Sequence, residues 1–306
     1  MRSRPKEWTV GLVGYGEVGR ILAEDLRRLR MAVNAYDVKL GTPDGAAMQV
    51  HAEQRGVGLK PSHAALASSA DLVISAVTAS QTVAVAAACA PGMRRDAFFL
   101  DFNSASPNAK RTACDAITSA GARYVEGAVM TSMPPYRQRV PLLLGGPHAA
   151  GLAPLLNDIG FASKMASDQI GVASAVKMCR SVMIKGLEAM VIESFTAARA
   201  YGVEDALLAS LLETFPGLDW EKQGAYFFQR VIEHGRRRAE EMQESARTVA
   251  DAGLTPFSAY GTAQRQAWIG DMADAGIFGI KGGSAFARSA DWRMEADRIL
   301  AAIKEK

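Results

Sequence analysis

The chain has 306 residues, 49% hydrophobic and 22% charged, which excludes a disordered chain and supplies cores for about two domains. A formal net charge of +3, with no basic tract beyond Arg236–Arg238, argues against nucleic-acid binding and leaves a mild attraction for anionic metabolites. Cys89, Cys114 and Cys179 are too scattered for a disulfide framework or zinc cluster, and no run of about 18 apolar residues or signal-peptide pattern occurs, so a cytoplasmic protein without a membrane span is expected.

Trp8–Val13 is a short apolar run that predicts a strand, and Gly14-Tyr15-Gly16-Glu17-Val18-Gly19 follows it. Arg20–Arg30 then carries Ile21, Leu22, Leu26 and Leu29 at helical spacing, and Ala32–Tyr36 reads as a second strand ending at Asp37. Run length, glycines and period are independent signals, and together they describe one βαβ unit. The alternation continues with strands expected over Asp71–Val77 and Ala97–Phe102 and helices over Gln81–Ala90 and Asn108–Ala120. Further strands are expected over Ala122–Glu126, Val140–Leu144 and Phe161–Met165, with spacing read as suited to a parallel sheet.

Beyond Ser167 the pattern turns helical. Val172–Arg199 carries Val176, Cys179, Met183, Leu187, Met190 and Phe195 at mostly three- and four-residue intervals. Asp205–Phe215, Lys222–His234, Arg236–Ala252 and Pro256–Ala275 predict more helices, with breaks near Pro216-Gly217, Gly235 and Gly253. The fold class is therefore α/β: a doubly wound Rossmann domain over residues 1–166, followed by an all-helical substrate and dimerisation domain over 167–306. The apolar surplus of the helical part, including Met183, Leu187, Met190, Phe215, Trp220, Phe227 and Phe228, leads to the expectation of a homodimer.

The glycine turn carries the first functional reading. Gly14 permits the tight turn, Gly16 lets backbone approach a pyrophosphate, and Gly19 allows close packing of helix on strand. Amide groups at the helix start, around Glu17 and Val18, then face the phosphates. A carboxylate at Asp37 accepts hydrogen bonds from ribose hydroxyls and repels a 2′-phosphate. The expected cofactor is NAD; Lys39 leaves NADP as the second choice. Tyr15, Val77, Asn103 and Ser104 complete the expected cofactor-binding residues. No spacing of His, Cys or Asp suggests a metal.

Four segments extend the reading. Gly11-Leu12-Val13-Gly14-Tyr15-Gly16-Glu17-Val18-Gly19, Asp101-Phe102-Asn103-Ser104-Ala105-Ser106-Pro107, Gly127-Ala128-Val129-Met130-Thr131-Ser132 and Gly171-Val172-Ala173-Ser174-Ala175-Val176-Lys177 resemble four motifs of the β-hydroxyacid dehydrogenase family. That family includes 3-hydroxyisobutyrate and 6-phosphogluconate dehydrogenases, and the resemblance covers nearly the whole chain. It implies that Lys177 is the proton-transfer residue and that Asn103 and Ser104 lie beside the nicotinamide ribose and the near edge of the substrate. It also implies that Thr131 and Ser132 bind substrate.

The chain departs from the pattern at several points. Ser181 stands where the family has asparagine, Thr131 replaces a serine, and Ser132-Met133 replaces two glycines. Glu240-Glu241 stands where hydroxyisobutyrate-type members carry Lys-Asp. The segment around His234, Arg237 and Arg238 resembles instead a branch labelled phosphogluconate dehydrogenase-like, a label that describes the cofactor domain and does not name a substrate. The implied activity is hydride transfer between nicotinamide and a small anionic or polar metabolite, a hydroxy acid or derivative. Lys177 is the general acid/base, and Ser181, His234 and Arg237 are candidate substrate contacts. Arg137 and Arg139 are further candidates for an acidic substrate, either as contacts or as solvent-facing strand residues. An imine reductase-like enzyme and a non-catalytic dinucleotide-binding regulator are the alternatives; Lys177 weighs against the first.

Overall fold

The computed structural model describes residues 4–281, 283, 286, 289 and 291–304. They divide into two compact units, Met1–Met178 and Cys179–Lys306.

In the first unit, strands and helices alternate. They run β1 (Thr9–Val13), α1 (Glu17–Arg28), β2 (Ala32–Tyr36), α2 (Ala46–Arg55), β3 (Gly58–Leu59), α3 (His63–Ser68), β4 (Leu72–Ser75) and α4 (Thr82–Cys89). The series continues with β5 (Phe98–Asp101), α5 (Pro107–Ser119), β6 (Arg123–Val129), α6 (Met133–Tyr136), β7 (Pro141–Gly145), α7 (Ala149–Asp158) and β8 (Ala162–Ser167). The strands form one sheet in the order β3-β2-β1-β4-β5-β6-β7-β8. The strands from β3 to β6 in that order all run parallel, the doubly wound arrangement in which the strand order reverses between β1 and β4. The central strands are buried on both faces, as near-continuous apolar runs require: β4 and β5 have every residue buried. Two apolar clusters cover the sheet. One contains Trp8, Leu22, Leu26, Leu100 and Leu144; the other contains Leu66, Val73, Phe99, Ile117 and Tyr124.

One expectation about the sheet is corrected. β7 pairs antiparallel with β6, with Glu126 opposite Gly145 and Val129 opposite Leu142. The segment between them holds only α6 and a 3-10 turn at Arg137–Arg139, too little chain for a helical crossover, so the strand returns in the opposite sense. β8 is parallel to β7.

α8 (Val172–Tyr201) begins in the first unit and continues into the second. The second unit is otherwise built from α9 (Glu204–Thr214), α10 (Trp220–Asp251), α11 (Phe257–Asp274) and α12 (Trp292–Lys304). Its core gathers Phe195, Phe228, Val231, Ile269 and Trp292. Asp219 starts α10 by accepting the Lys222 N–H at 3.0 Å. The break expected at Gly235 does not occur. α10 runs through it unbroken, because this glycine is buried at a crossing where a Cβ would stand 2.6 Å from the Gln266 carbonyl oxygen of α11. Gly235 serves helix–helix approach, not termination.

Candidate functional site

The carboxyl ends of the parallel strands collect the candidate residues of the first unit. β1 ends at Val13, and the chain turns at Gly14 with φ of 87°, a conformation that favours glycine. A side chain there would overlap the Ala76 carbonyl oxygen, and one at Gly19 would overlap the Gly14 carbonyl oxygen, so both positions need bare backbone. Gly16 is different: the space above its Cα is open. It caps α1 without a side-chain hydrogen bond, leaving the first-turn amides and the positive end of the helix dipole available to an anion. Two crowded glycines flanking an open one fit a pyrophosphate.

Asp37, just past β2, accepts the Tyr15 N–H at 2.8 Å and the Lys39 N–H at 2.9 Å, so one carboxylate braces the glycine turn and its own loop. The Tyr15 side chain points inward. Its ring is fully buried, its hydroxyl bonds His51 Nδ1 at 2.9 Å, and burial above all pushes its pKa up to about 12. The position presents backbone to the turn and a phenol to the interior. His63 packs edge-on against Tyr36, ring centroids 4.6 Å apart; burial lowers its pKa and the Asp37 charge opposes that shift. Glu17 is exposed in the first turn of α1, and Val18 is half-buried beside the core.

Asn103 ties two strand ends together. Its Oδ1 accepts the Val77 N–H at 2.7 Å and its Nδ2 donates to Ser75 Oγ at 3.0 Å. Its own N–H donates to Asp101 Oδ1 at 2.9 Å. Asp101 is buried at the end of β5, where it pairs with Lys110 at 2.8 Å and accepts the Tyr124 hydroxyl at 2.7 Å. Burial, reinforced by the Asp101 charge, holds the Tyr124 hydroxyl well above its ordinary pKa. Lys110 Nζ also donates to the Asp101 carbonyl at 3.0 Å, and Ser106 and Pro107 then start α5. The loop carrying Ser104 is thus held on both sides by buried bonds.

Glu126 positions α8. Its carboxylate, fully buried, accepts the N–H groups of Gly171 at 3.0 Å and Ala173 at 2.9 Å, and the Ser174 hydroxyl at 3.0 Å. A negative group bonded to orphan first-turn amides is a strong helix cap. Its room comes from Gly145, the residue opposite on β7, where a side chain would overlap the carboxylate. Gly171 enters the helix at φ of 100°. One turn into α8, half-buried Lys177 donates from Nζ to Ser104 Oγ at 2.6 Å. Thr131 is exposed and Ser132 half-buried in the loop after β6, on the edge of the sheet where β1, β4 and β5 also end.

Gly14, Tyr15, Gly16, Asp37, Val77, Asn103, Ser104 and Lys177 are therefore brought to one end of one sheet. Arg137 is engaged within the unit, on Glu24 and Asp25 of α1, while Arg139 is exposed. Asp101, Lys110 and Glu126 escaped the sequence reading. The only local signal for Glu126 was a charged residue at the end of an expected strand.

Ser181, His234 and Arg237 belong to the second unit. Ser181 is buried. His234 is half-buried on α10, and burial, followed by the charges of Arg237, Arg230 and Arg238, pushes its pKa down to about 4. The three arginines diverge, as a helix requires. Arg236 pairs with Asp271 and Asp274, Arg238 is buried on Glu188, and Arg237 is exposed. Buried Lys185 pairs with Glu241; burial lowers its pKa against the opposing pull of that carboxylate. Among the described residues, no helix is long and apolar enough to cross a membrane.

A doubly wound sheet with a bare-backbone turn, a helix N-terminus without a side-chain cap and a carboxylate after β2 defines a dinucleotide-binding protein, here joined to a helical unit. The model for the NAD binding domain of 6-phosphogluconate dehydrogenase matches residues 9–166, and a domain of unknown function (DUF1932) matches 198–269. The chain belongs to the β-hydroxyacid dehydrogenase family, with a Rossmann domain followed by a helical domain. It is 36% identical to a conserved hypothetical protein of Sinorhizobium meliloti, covering 95% of this chain and 96% of that one with a TM-score of 0.72. An uncharacterised 28.5 kDa protein of Methanothermus fervidus is 27% identical over 81% of this chain and 93% of its own length. Mycobacterium tuberculosis 3-hydroxyisobutyrate dehydrogenase, solved with L-serine, shares the fold at a TM-score of 0.71 and 17% identity, covering 88% of this chain and 96% of that one.

Proposed function

We propose that the protein is an NAD-dependent oxidoreductase acting on a small hydroxy acid or derivative, with Lys177 as its general acid/base. The observation that carries this reading is the 2.6 Å bond from Lys177 Nζ to Ser104 Oγ, which holds an amine beside the loop after β5 at the cofactor-binding end of the sheet. The nicotinamide, when bound, supplies the two-electron chemistry. The α1 N-terminus, Gly14 and Gly16 would hold the pyrophosphate, and Asp37 would receive the ribose hydroxyls. Lys177 Nζ takes the proton of the substrate hydroxyl during oxidation and returns it during reduction. Ser104 aligns the amine for that exchange, and Thr131 and Ser132 supply hydrogen bonds to the substrate's polar end.

NAD is favoured over NADP because a carboxylate just past β2, here Asp37, would repel a 2′-phosphate, and because Lys39 Nζ is drawn to Asp44 at 3.6 Å. The test combines cofactor titration with a screen of small hydroxy and keto acids, followed at the reduced-nicotinamide absorbance. Lys177→Ala is expected to lower turnover by about 10²–10⁴-fold while NADH still binds. Undiminished turnover in that variant removes the assigned role. Tighter binding of NADP than NAD by the unmodified protein removes the cofactor preference.

A further inference from the structure

Arg137 adopts φ of 52° and ψ of −136°, a backbone conformation close to glycine's preserve, on a long charged side chain. It sits directly after the loop of Thr131 and Ser132 and the short helix α6. Such a conformation persists only where the surroundings over-determine it, and here two carboxylates do so. Arg137 Nε donates to Asp25 Oδ1 at 2.9 Å and Oδ2 at 3.2 Å, and Nη2 donates to Glu24 Oε2 at 2.8 Å. The next residue joins in, as the Gln138 N–H reaches Asp25 Oδ2 at 3.2 Å. The planar guanidinium fork suits two adjacent carboxylates in a way that a single ammonium does not.

Glu24 carries the connection onward. Its other oxygen, Oε1, lies 3.2 Å from His51 Nε2, and His51 Nδ1 lies 2.9 Å from the Tyr15 hydroxyl. The two ring nitrogens of His51 thus join the Tyr15 hydroxyl to the Glu24 carboxylate. Arg55 adds a second cation 3.5 Å from the same Glu24 oxygen. A continuous chain of polar contacts thus runs from Tyr15 in the glycine turn, through α2 and α1, to the far end of the Thr131 loop.

We propose that Arg137 is a positioning residue that couples the dinucleotide turn to the substrate loop. It pins the Thr131 loop to α1, so that ordering the turn at the head of α1 also orders the loop. The proposal rests on the reading of these two segments as cofactor and substrate sites.

The test uses the full-length protein, with NADH as the probe. Affinity is read by NADH fluorescence, and loop order by amide hydrogen exchange over residues 130–140. In the unmodified protein NADH is expected to slow exchange in that segment by about five-fold or more, the lower end of ordinary coupling between sites. Arg137→Ala and Asp25→Asn are expected to keep NADH affinity within about three-fold while that slowing disappears, and Arg137→Lys to restore it in part. If either variant fails to melt cooperatively, the other carries the comparison. NADH-dependent slowing of equal size in the folded variants and the unmodified protein overturns the coupling, since a purely structural staple would shift exchange equally with and without cofactor. Absence of any slowing in the unmodified protein that does bind NADH overturns it too. Failure of the unmodified protein to bind NADH instead removes the underlying reading of the glycine turn, an outcome distinguished by the titration alone.

Discussion

Glu126 shows how a single residue can fix a site without touching it. Its carboxylate is enclosed, bonded to two backbone amides and a hydroxyl at the head of α8, and it has room only because Gly145 has no side chain. Removing it strands buried donors that water cannot reach. Glu126→Ala is expected to destabilise the first unit by about 3 kcal/mol. Glu126→Gln keeps one acceptor oxygen and is expected to cost about 1 kcal/mol. Urea denaturation followed by circular dichroism gives both values. Equal stability of all three proteins would mean that α8 is held by packing alone. The sequence could not announce this residue. Its partners lie 45 to 48 positions away, and local pattern registers a charged residue in a strand only as an interruption. Ser104 was different: it could be singled out because it falls in a short contiguous motif after a strand.

At the scale of elements, apolar runs were legible where burial on both faces leaves no polar alternation to confuse them. The second strand was legible although its buried positions alternate with more open ones: the expected range, Ala32–Tyr36, is the range found for β2. α2, with the sequence AAMQVHAEQR, has too weak an apolar stripe to be read, and α7 carries Pro154 in its interior. Gly235 illustrates the opposite error. A glycine between two helical stretches reads as a terminator, yet here it lets α10 and α11 approach closely at a buried crossing. An uncrowded interior position and a crowded crossing predict opposite signs for alanine. Alanine at an ordinary helix-interior glycine gains about 1 kcal/mol of propensity. Gly235→Ala is instead expected to lose about 1–3 kcal/mol, because the methyl group overpacks the crossing against the Gln266 carbonyl. A chemical melt that shows stabilisation would mean that the crossing accommodates the methyl group and that Gly235 is an ordinary helix-interior glycine.

For the molecule as a whole, acid response is set in part by a histidine kept neutral. His234 has its pKa pushed down to about 4, first by burial and then by Arg237, Arg230 and Arg238. Unfolded, it titrates near about 6.5. The folded pKa is the lower one, so the unfolded chain binds the proton more readily. The contribution to stability is complete above the unfolded value and is lost as pH falls from there through about 4. Melting temperatures measured across that window should therefore fall more steeply in the native protein than in His234→Gln. Parallel curves would show that this ring does not titrate differently in the two states.

The sequence by itself determined the α/β class, the helical second part and the glycine turn with its carboxylate. Those features follow from periodicity and backbone freedom, both properties of neighbouring residues. The tertiary structure alone decided the unbroken α10, the Glu126 cap and the engagement of Arg137 on α1, whose partner Asp25 lies 112 residues away. Each depends on which distant groups meet in the fold, where a charge must find its counterpart and a glycine must yield its space, and neither demand leaves a mark on adjacent residues.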